Sequence, residues 1–354
     1  MTLKSQPNAC FNRMHIPWAL VLSLMVIFTS CGHNTKVNTS FYFWKTKYKP
    51  TGTENSYFNK LHCQKLYVRI MDVHQGEHGE PEPVSPINFQ SPVADSVELI
   101  PVVFIVNSVL SRRTQQQLDD LAGKIVTFVQ GKTKQAGKSQ FNELQIDCDW
   151  TKSTRNNYFY LLQRIRQNAA MHQRALSVTL RLHQLKNQQS SGIPPANRVM
   201  LMCYNMGNLR QYGLHNSILE QSELEKYAGS NLGNYALPID VGLPLFSWAV
   251  VFQDKQYKGI AKRVNQEVLK QHQWFNYTGN SCYKAKTDLP NYGIKANDEI
   301  RWENIPAAQL QQAAKHLSKH LHSDTINVIY FHLDEPTLKQ HTYESLEKTA
   351  ALFR

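Results

Sequence analysis

Apolar residues recur along the chain in short clusters rich in β-branched and aromatic side chains, the composition of buried strands. They are FYFWKTKY (41–48), KLYVRIMDV (65–73), LIPVVFIVN (99–107), ELQIDCDW (143–150), ALSVTLRLH (175–183), RVMLMCYN (198–205), a run within YALPIDVGLPLFSWAVVF (235–252) and INVIYFHLD (326–334). Between most of them the apolar spacing turns helical, as in TENSYFNKLH, TQQQLDDLAGKIVTFVQ, STRNNYFYLLQRIRQNAAMH, SILEQSELEKYA, PAAQLQQAAKHLSKHLH and PTLKQHTYESLEKTAALF. Ser153 and Thr337 stand where helix caps are expected. Strands alternating with helices predict a parallel sheet, and eight such units predict an α/β fold of the closed (β/α)8 TIM barrel type. A polar loop, HQGEHGEPEPVSPINFQSPVADS, replaces the helix after the second strand. Residues 247–305 read as an insertion between strands seven and eight, with a β-hairpin turning near Asp254 and Lys255 and a further short strand in NDEIRWENI.

Alternation assigns the faces of these strands. On the fourth, Gln145, Asp147 and Asp149 share one side and Ile146, Cys148 and Trp150 the other. On the fifth, Ser177, Thr179, Arg181 and His183 oppose an apolar set. The sixth turns Met200, Met202 and Tyr204 one way, with Asn205 at the rim, and the eighth is expected to turn Tyr330, His332 and Asp334 inward. Each of these polar groups would cost about 1–3 kcal/mol if buried without a partner. They are therefore expected to bond to one another, to water or to a ligand at the carboxyl ends of the strands, where barrel sites lie.

The N-terminus changes the compartment. Lys4 and Arg13 precede the apolar run WALVLSLMVIFTS, which is too short for a stable membrane span and reads as a signal peptide over residues 1–30. FTSC resembles a bacterial lipobox, which implies lipidation of Cys31, a tether over residues 31–40, a barrel over 41–354 and a place on a membrane of the cell envelope. Lys and Arg number 39 against 27 Asp and Glu, a net charge of +12, yet the excess is spread thinly, unlike the patch or stripe of a nucleic-acid protein. Cys63, Cys148, Cys203 and Cys282 match neither a zinc pattern nor a disulfide framework. Asp72, His74 and His78 carry ligand atoms at a spacing that fits no known metal site, and no cofactor motif is present.

LQIDCDWT resembles the fourth-strand signature of family-18 (chitinase-like) glycoside hydrolases, Asp-Gly-x-Asp-x-Asp-x-Glu, and VMLMCYN resembles their sixth-strand Met-x-Tyr-Asp. The chain also resembles a group of bacterial barrel lipoproteins that share QIDCDWT and FSW segments. On that resemblance Asp147 and Asp149 match the second and third aspartates, and Met202 and Tyr204 the sixth-strand pair. Leu144 stands at the first aspartate, and Thr151 at the glutamate that protonates the leaving oxygen. A threonine hydroxyl is too weak an acid for that step.

Two readings follow. Other carboxylates act on a polysaccharide, with Asp149 the essential one, paired with Asp334 or Asp72 and with Asp147 as a like-charged neighbour, while Glu303 and Glu335 stand further back in order of choice. Alternatively the barrel binds glycan, or serves as an envelope scaffold, without cleaving it. Substrate contacts are assigned to Met202, Tyr204, Asn205, Trp150, Trp248, Arg181, His183 and His332, with Trp274, Tyr292 and Trp302 as further stacking aromatics. Against these stand structural roles: Asp147 and Asp149 bonded to Arg181 and Ser177, and Trp248 in a core.

Overall fold

The computed structural model describes residues 1–3 and 35–354. The expected lipidation site, Cys31, and most of the leader lie outside the described residues. Eight parallel strands form the barrel, here numbered one to eight: Lys36–Phe43, Lys65–Gln75, Glu98–Ile105, Glu143–Asp147, Ala175–Arg181, Arg198–Met202, Ile239–Pro244 and Thr325–Phe331. Each pairs with the next, and the first pairs with both the eighth and the second, which closes the ring. The outer strand faces carry Leu144, Ile146, Val178, Leu180, Val199, Leu201, Val241 and Val328, all fully buried. They lie beneath helices whose inward stripes include Leu121, Ile125, Leu161, Ile165, Leu310 and Leu346. Each such aliphatic side chain contributes about 1.5–3 kcal/mol on burial.

After the second strand the chain makes no helix. It turns back through Pro81–Val84, antiparallel to that strand. Between strands seven and eight lies a five-stranded antiparallel sheet, spatially ordered Gln256–Ile260, Trp248–Gln253, Glu299–Glu303, Cys282–Ala285, Phe275–Gly279. Its hairpin turns at Asp254 (φ 49°) and Lys255 (φ 63°), both in the left-handed region that a two-residue turn requires. The sheet closes over its own apolar centre of Ala249, Phe275, Ile300 and Trp302.

The amino end of the barrel is plugged by charge. Lys65 lies 3.5 Å from Glu98 and 3.9 Å from Glu143, and Arg198 lies 2.8 Å from Asp240. Asn327 donates to Asp240 from both its backbone and its side chain. Burial pushes Asp240 up to about 6, with Arg198 and Asn327 pulling against it.

Several details differ from the sequence expectation. The first strand begins at Lys36, so part of the expected tether is barrel wall. The fifth strand stops at Arg181, and His183 lies on a short helix, Leu182–Lys186. The fourth-strand helix, Arg155–Gln167, starts from Thr154 rather than Ser153, and the last helix, Tyr343–Ala351, is capped by Thr342 and not by the buried Thr337. On the eighth strand Tyr330 faces out, because its hydroxyl reaches Leu346 O (2.6 Å) on the outer helix while its ring packs in apolar surroundings. Phe331 takes the inward place expected for Tyr330 and its neighbours.

Candidate functional site at the barrel mouth

A hydrogen-bonded ladder climbs the barrel interior. Tyr42 donates to Gln145, Gln145 to Ser177 (3.3 Å) and Ser177 to Glu143 (2.5 Å). One step higher, Thr179 Oγ1 donates to Asp147 Oδ1 at 2.7 Å. Ser177 thus serves Glu143, and Thr179 takes the place expected for it beside Asp147. Burial raises Asp147 to about 7, with the Thr179 hydrogen bond opposing the shift and the Asp149 charge adding to it. Asp147 is therefore a carboxyl that holds its proton close to neutrality.

Asp149 sits above, with its side chain 45% exposed, and accepts from Arg181 Nη1 at 2.9 Å. Arg181 Nη2 also donates to Asn205 O (3.1 Å), so one guanidinium ties together the ends of strands four, five and six. Arg181, His183, Met202, Tyr204 and Asn205 line one cleft of ≈ 220 Å³, joined by Met206 and Tyr227. Partial burial and the Arg181 charge lower the pKa of His183, with the Asp149 charge opposing them. Glycine at position 242, on strand seven, leaves room for this arrangement: a Cβ there would lie 2.5 Å from Met200 Sδ and 3.3 Å from Tyr204 Cε1.

Beside the cleft runs a shelf of rings. Trp44 packs on Phe331 (5.4 Å between centroids), Phe331 on Tyr204 (5.3 Å) and Phe246 (5.9 Å), and Phe246 on Trp248 (5.2 Å). Trp44, Phe246, Trp248 and Phe331 are each only partly buried. Trp248 is fixed by its indole N–H, which donates to Glu303 at 2.8 Å. Glu303 also accepts from Ser217 N (2.8 Å) and Oγ and from Arg301 (2.7 Å), which makes it the knot between the insertion and the loop after strand six.

Asp72, Asp334 and Glu54, also near this end, are engaged. Asp72 is held bidentately by Arg69 at 2.6 Å, and Asp334 lies 3.5 Å from Lys45. Lys45 also pairs with the fully buried Glu54, which accepts from the backbone N–H groups of Thr51 and Glu335 as well. His332 follows a cis peptide after Phe331, and burial lowers its pKa. Thr151 is exposed at the start of the helical turn, with its carbonyl accepting from Thr154 and Arg155 and its hydroxyl 2.9 Å from Ser153 Oγ.

Trp150, expected to touch substrate, does not reach the mouth. It is 1% exposed, stacked on Tyr158 at 5.0 Å, and donates to Ser191 O at 3.0 Å beneath the helix. Alternation had already placed it opposite Asp149, so its burial follows from the same periodicity. Trp302 is buried in the insertion centre, and Trp274 and Tyr292 pack against it. Sequence reading missed Trp44, Phe246 and Phe331. Trp44 directly follows the end of strand one in FYFW and Phe246 lies two residues past the end of strand seven in LPLF, and that position was the available signal.

No family model and no curated protein matches the chain. Among solved structures, the spore cortex-lytic enzyme SleL of Bacillus cereus superposes with a TM-score of 0.55 at 14% identity, over 90% of this chain and 75% of that one. The corresponding enzyme of Bacillus megaterium gives 0.54 at 14% identity, covering 89% and 75%. A chitinase of Chromobacterium violaceum gives 0.52 at 12% identity, covering 89% of this chain and 99% of its own. At such identities the likeness establishes the architecture: this chain has the barrel fold of the chitinases and cortex-lytic enzymes.

Proposed function

We propose that the barrel mouth binds a polysaccharide, in a protein exported and anchored to the cell envelope through a lipid on Cys31. The observation that carries this reading is the continuous, partly exposed shelf Trp44–Phe331–Phe246–Trp248 beside the polar cleft. Sugar rings present apolar C–H faces and a polar rim, and a row of aromatic faces next to fixed donors and acceptors complements both. The fold likeness to a chitinase and to cortex-lytic enzymes supports a polymer of N-acetylated sugars as the class to test first. Cleavage of the usual family-18 kind is disfavoured, because Thr151 supplies no acid and the Asp149 carboxylate is bound to Arg181.

Calorimetric titration with chitin oligosaccharides and soluble peptidoglycan fragments tests this. Trp44→Ala and Trp248→Ala are each expected to weaken binding about fivefold to a hundredfold, the loss of roughly 1–3 kcal/mol typical of an anchoring aromatic. Absence of saturable binding to any glycan, or unchanged affinity in both variants, would overturn the reading.

One observation favours a second reading, hydrolysis with Asp149 as the essential carboxylate. Asp149 is half exposed, and immediately behind it Asp147 is poised near neutrality. Release of new reducing ends, abolished by Asp149→Asn with unfolding behaviour unchanged, would establish turnover. No release on a broad glycan panel decides for binding alone.

A further inference from the structure

The outer ring of helices is interrupted after strand two, and a groove of ≈ 680 Å³ lies where that helix would pack. Its walls include Met71 and Val73 of strand two, Pro81 and Pro83 of the returning strand, and Ile125 and Phe128 of the helix Gln115–Gln135. A further strand cannot fill it. The returning strand ends the sheet, and its successive N–H positions face opposite sides. Prolines at the alternate positions 81 and 83 therefore leave the open edge without donors. A helix can fill it, because the helical wall is flat at Gly123, where a Cβ would meet nothing within 4 Å. Glycine is a poor helix former, and no contact among the described residues calls for it at this position. Close approach of a second helix does.

The charges beside Gly123 say which helix. Asp120 and Lys124 are exposed and line the groove on either side of it. Their spacing would let them pair with each other. Asp120 instead accepts from Gln116 Nε2 (3.2 Å), and Lys124 has no partner among the described residues. Neighbouring Asp119 is already held by Arg164 (2.6 Å) and Tyr160 (3.0 Å). An antiparallel twofold axis close to Gly123 sets Asp120 of each copy against Lys124 of the other, so one pair of residues makes the contact twice. A foreign helix would have to supply that charge pattern, whereas a second copy already carries it. We propose that this chain forms a twofold dimer in which the two Gln115–Gln135 helices cross at Gly123, each facing the other's groove. The inference is independent of the glycan reading of the mouth.

Sedimentation velocity of the full chain in density-matched detergent tests this, between about 1 and 200 μM, the range in which so small an interface dissociates. The expected result is a concentration-dependent dimer. Gly123→Leu puts a good helix former into open space, so the melting temperature is expected to hold or rise while the dimer weakens about tenfold or more. Asp120→Lys and Lys124→Asp each bring like charges together twice, and each is expected to weaken the dimer about tenfold. The double variant Asp120→Lys/Lys124→Asp exchanges the two signs and is expected to restore the parent's affinity. A monomer at every concentration would leave the groove to another occupant and overturn the proposal. A dimer indifferent to Gly123→Leu, or a double variant no tighter than the single ones, would place the contact elsewhere and overturn it as well.

Discussion

Asp147→Asn is expected to stabilise the fold at pH 8 and to leave it almost unchanged at pH 4. Burial raises the folded Asp147 from its ordinary 3.8 to about 7. Below pH 4 the carboxyl is protonated in both folded and unfolded chains, and its contribution is fully present. As pH rises toward 7 the unfolded chain releases the proton while the folded chain keeps it, so stability falls by about 1.4 kcal/mol per unit. The accumulated loss is on the order of 4 kcal/mol by the time the folded group ionises. Asparagine does not titrate, and its side-chain oxygen still accepts from Thr179 Oγ1. Urea unfolding of parent and variant at pH 4, 6 and 8 isolates the effect, since all other titrating groups are common to both. Parallel stability curves across that range would show that Asp147 ionises freely and is not the poised group described.

Trp150→Ala is expected to cost about 3–5 kcal/mol of stability, the range for deleting a buried aromatic side chain. The loss combines the emptied volume against Tyr158 with the unpaired Ser191 carbonyl. Glycan binding by the folded fraction should be unchanged, the reverse of Trp44→Ala. Equilibrium denaturation and calorimetry measure the two quantities separately. Should the alanine variant not fold, Trp150→Phe keeps most of the packing and loses chiefly the hydrogen bond, about 1 kcal/mol. A Trp150 variant of native stability with impaired binding would move this ring from the core to the mouth.

The ring of strands was legible because its evidence is periodic and local. Gln145, Asp147 and Asp149 alternate with Leu144, Ile146 and Cys148, and only one face of a barrel strand can be greasy without limit. Burial pushes the thiols of Cys148 and Cys203 far up, as expected of small buried hydrophobes in strand segments. The eighth strand failed for a physical reason: tyrosine is both apolar body and polar tip, so Tyr330 fits either face until the helix carrying Leu346 supplies an acceptor. The site was legible in its polar half and illegible in its aromatic half. Arg181 closes strand five and Asp149 lies two residues past the end of strand four, and the two could be paired from alternation. Trp44, Phe331 and Phe246 meet across the closure of the ring, a contact that no stretch of sequence contains. Glu54 could be read as the capping-box partner of Thr51 in TGTE, but its bond to Glu335 N, from the segment after strand eight, could not.

The inserted sheet has an apolar centre of its own, joined to the loop after strand six through Glu303 and Arg301. Trp248 is its first strand residue and also the far end of the shelf, held there by the Glu303 knot. On the proposed glycan reading, loosening the insert takes away one end of the aromatic shelf, and a saccharide long enough to reach that indole is expected to slow amide exchange in residues 275–285. On that reading, grip on a long polymer and the order of the insert are linked through Trp248.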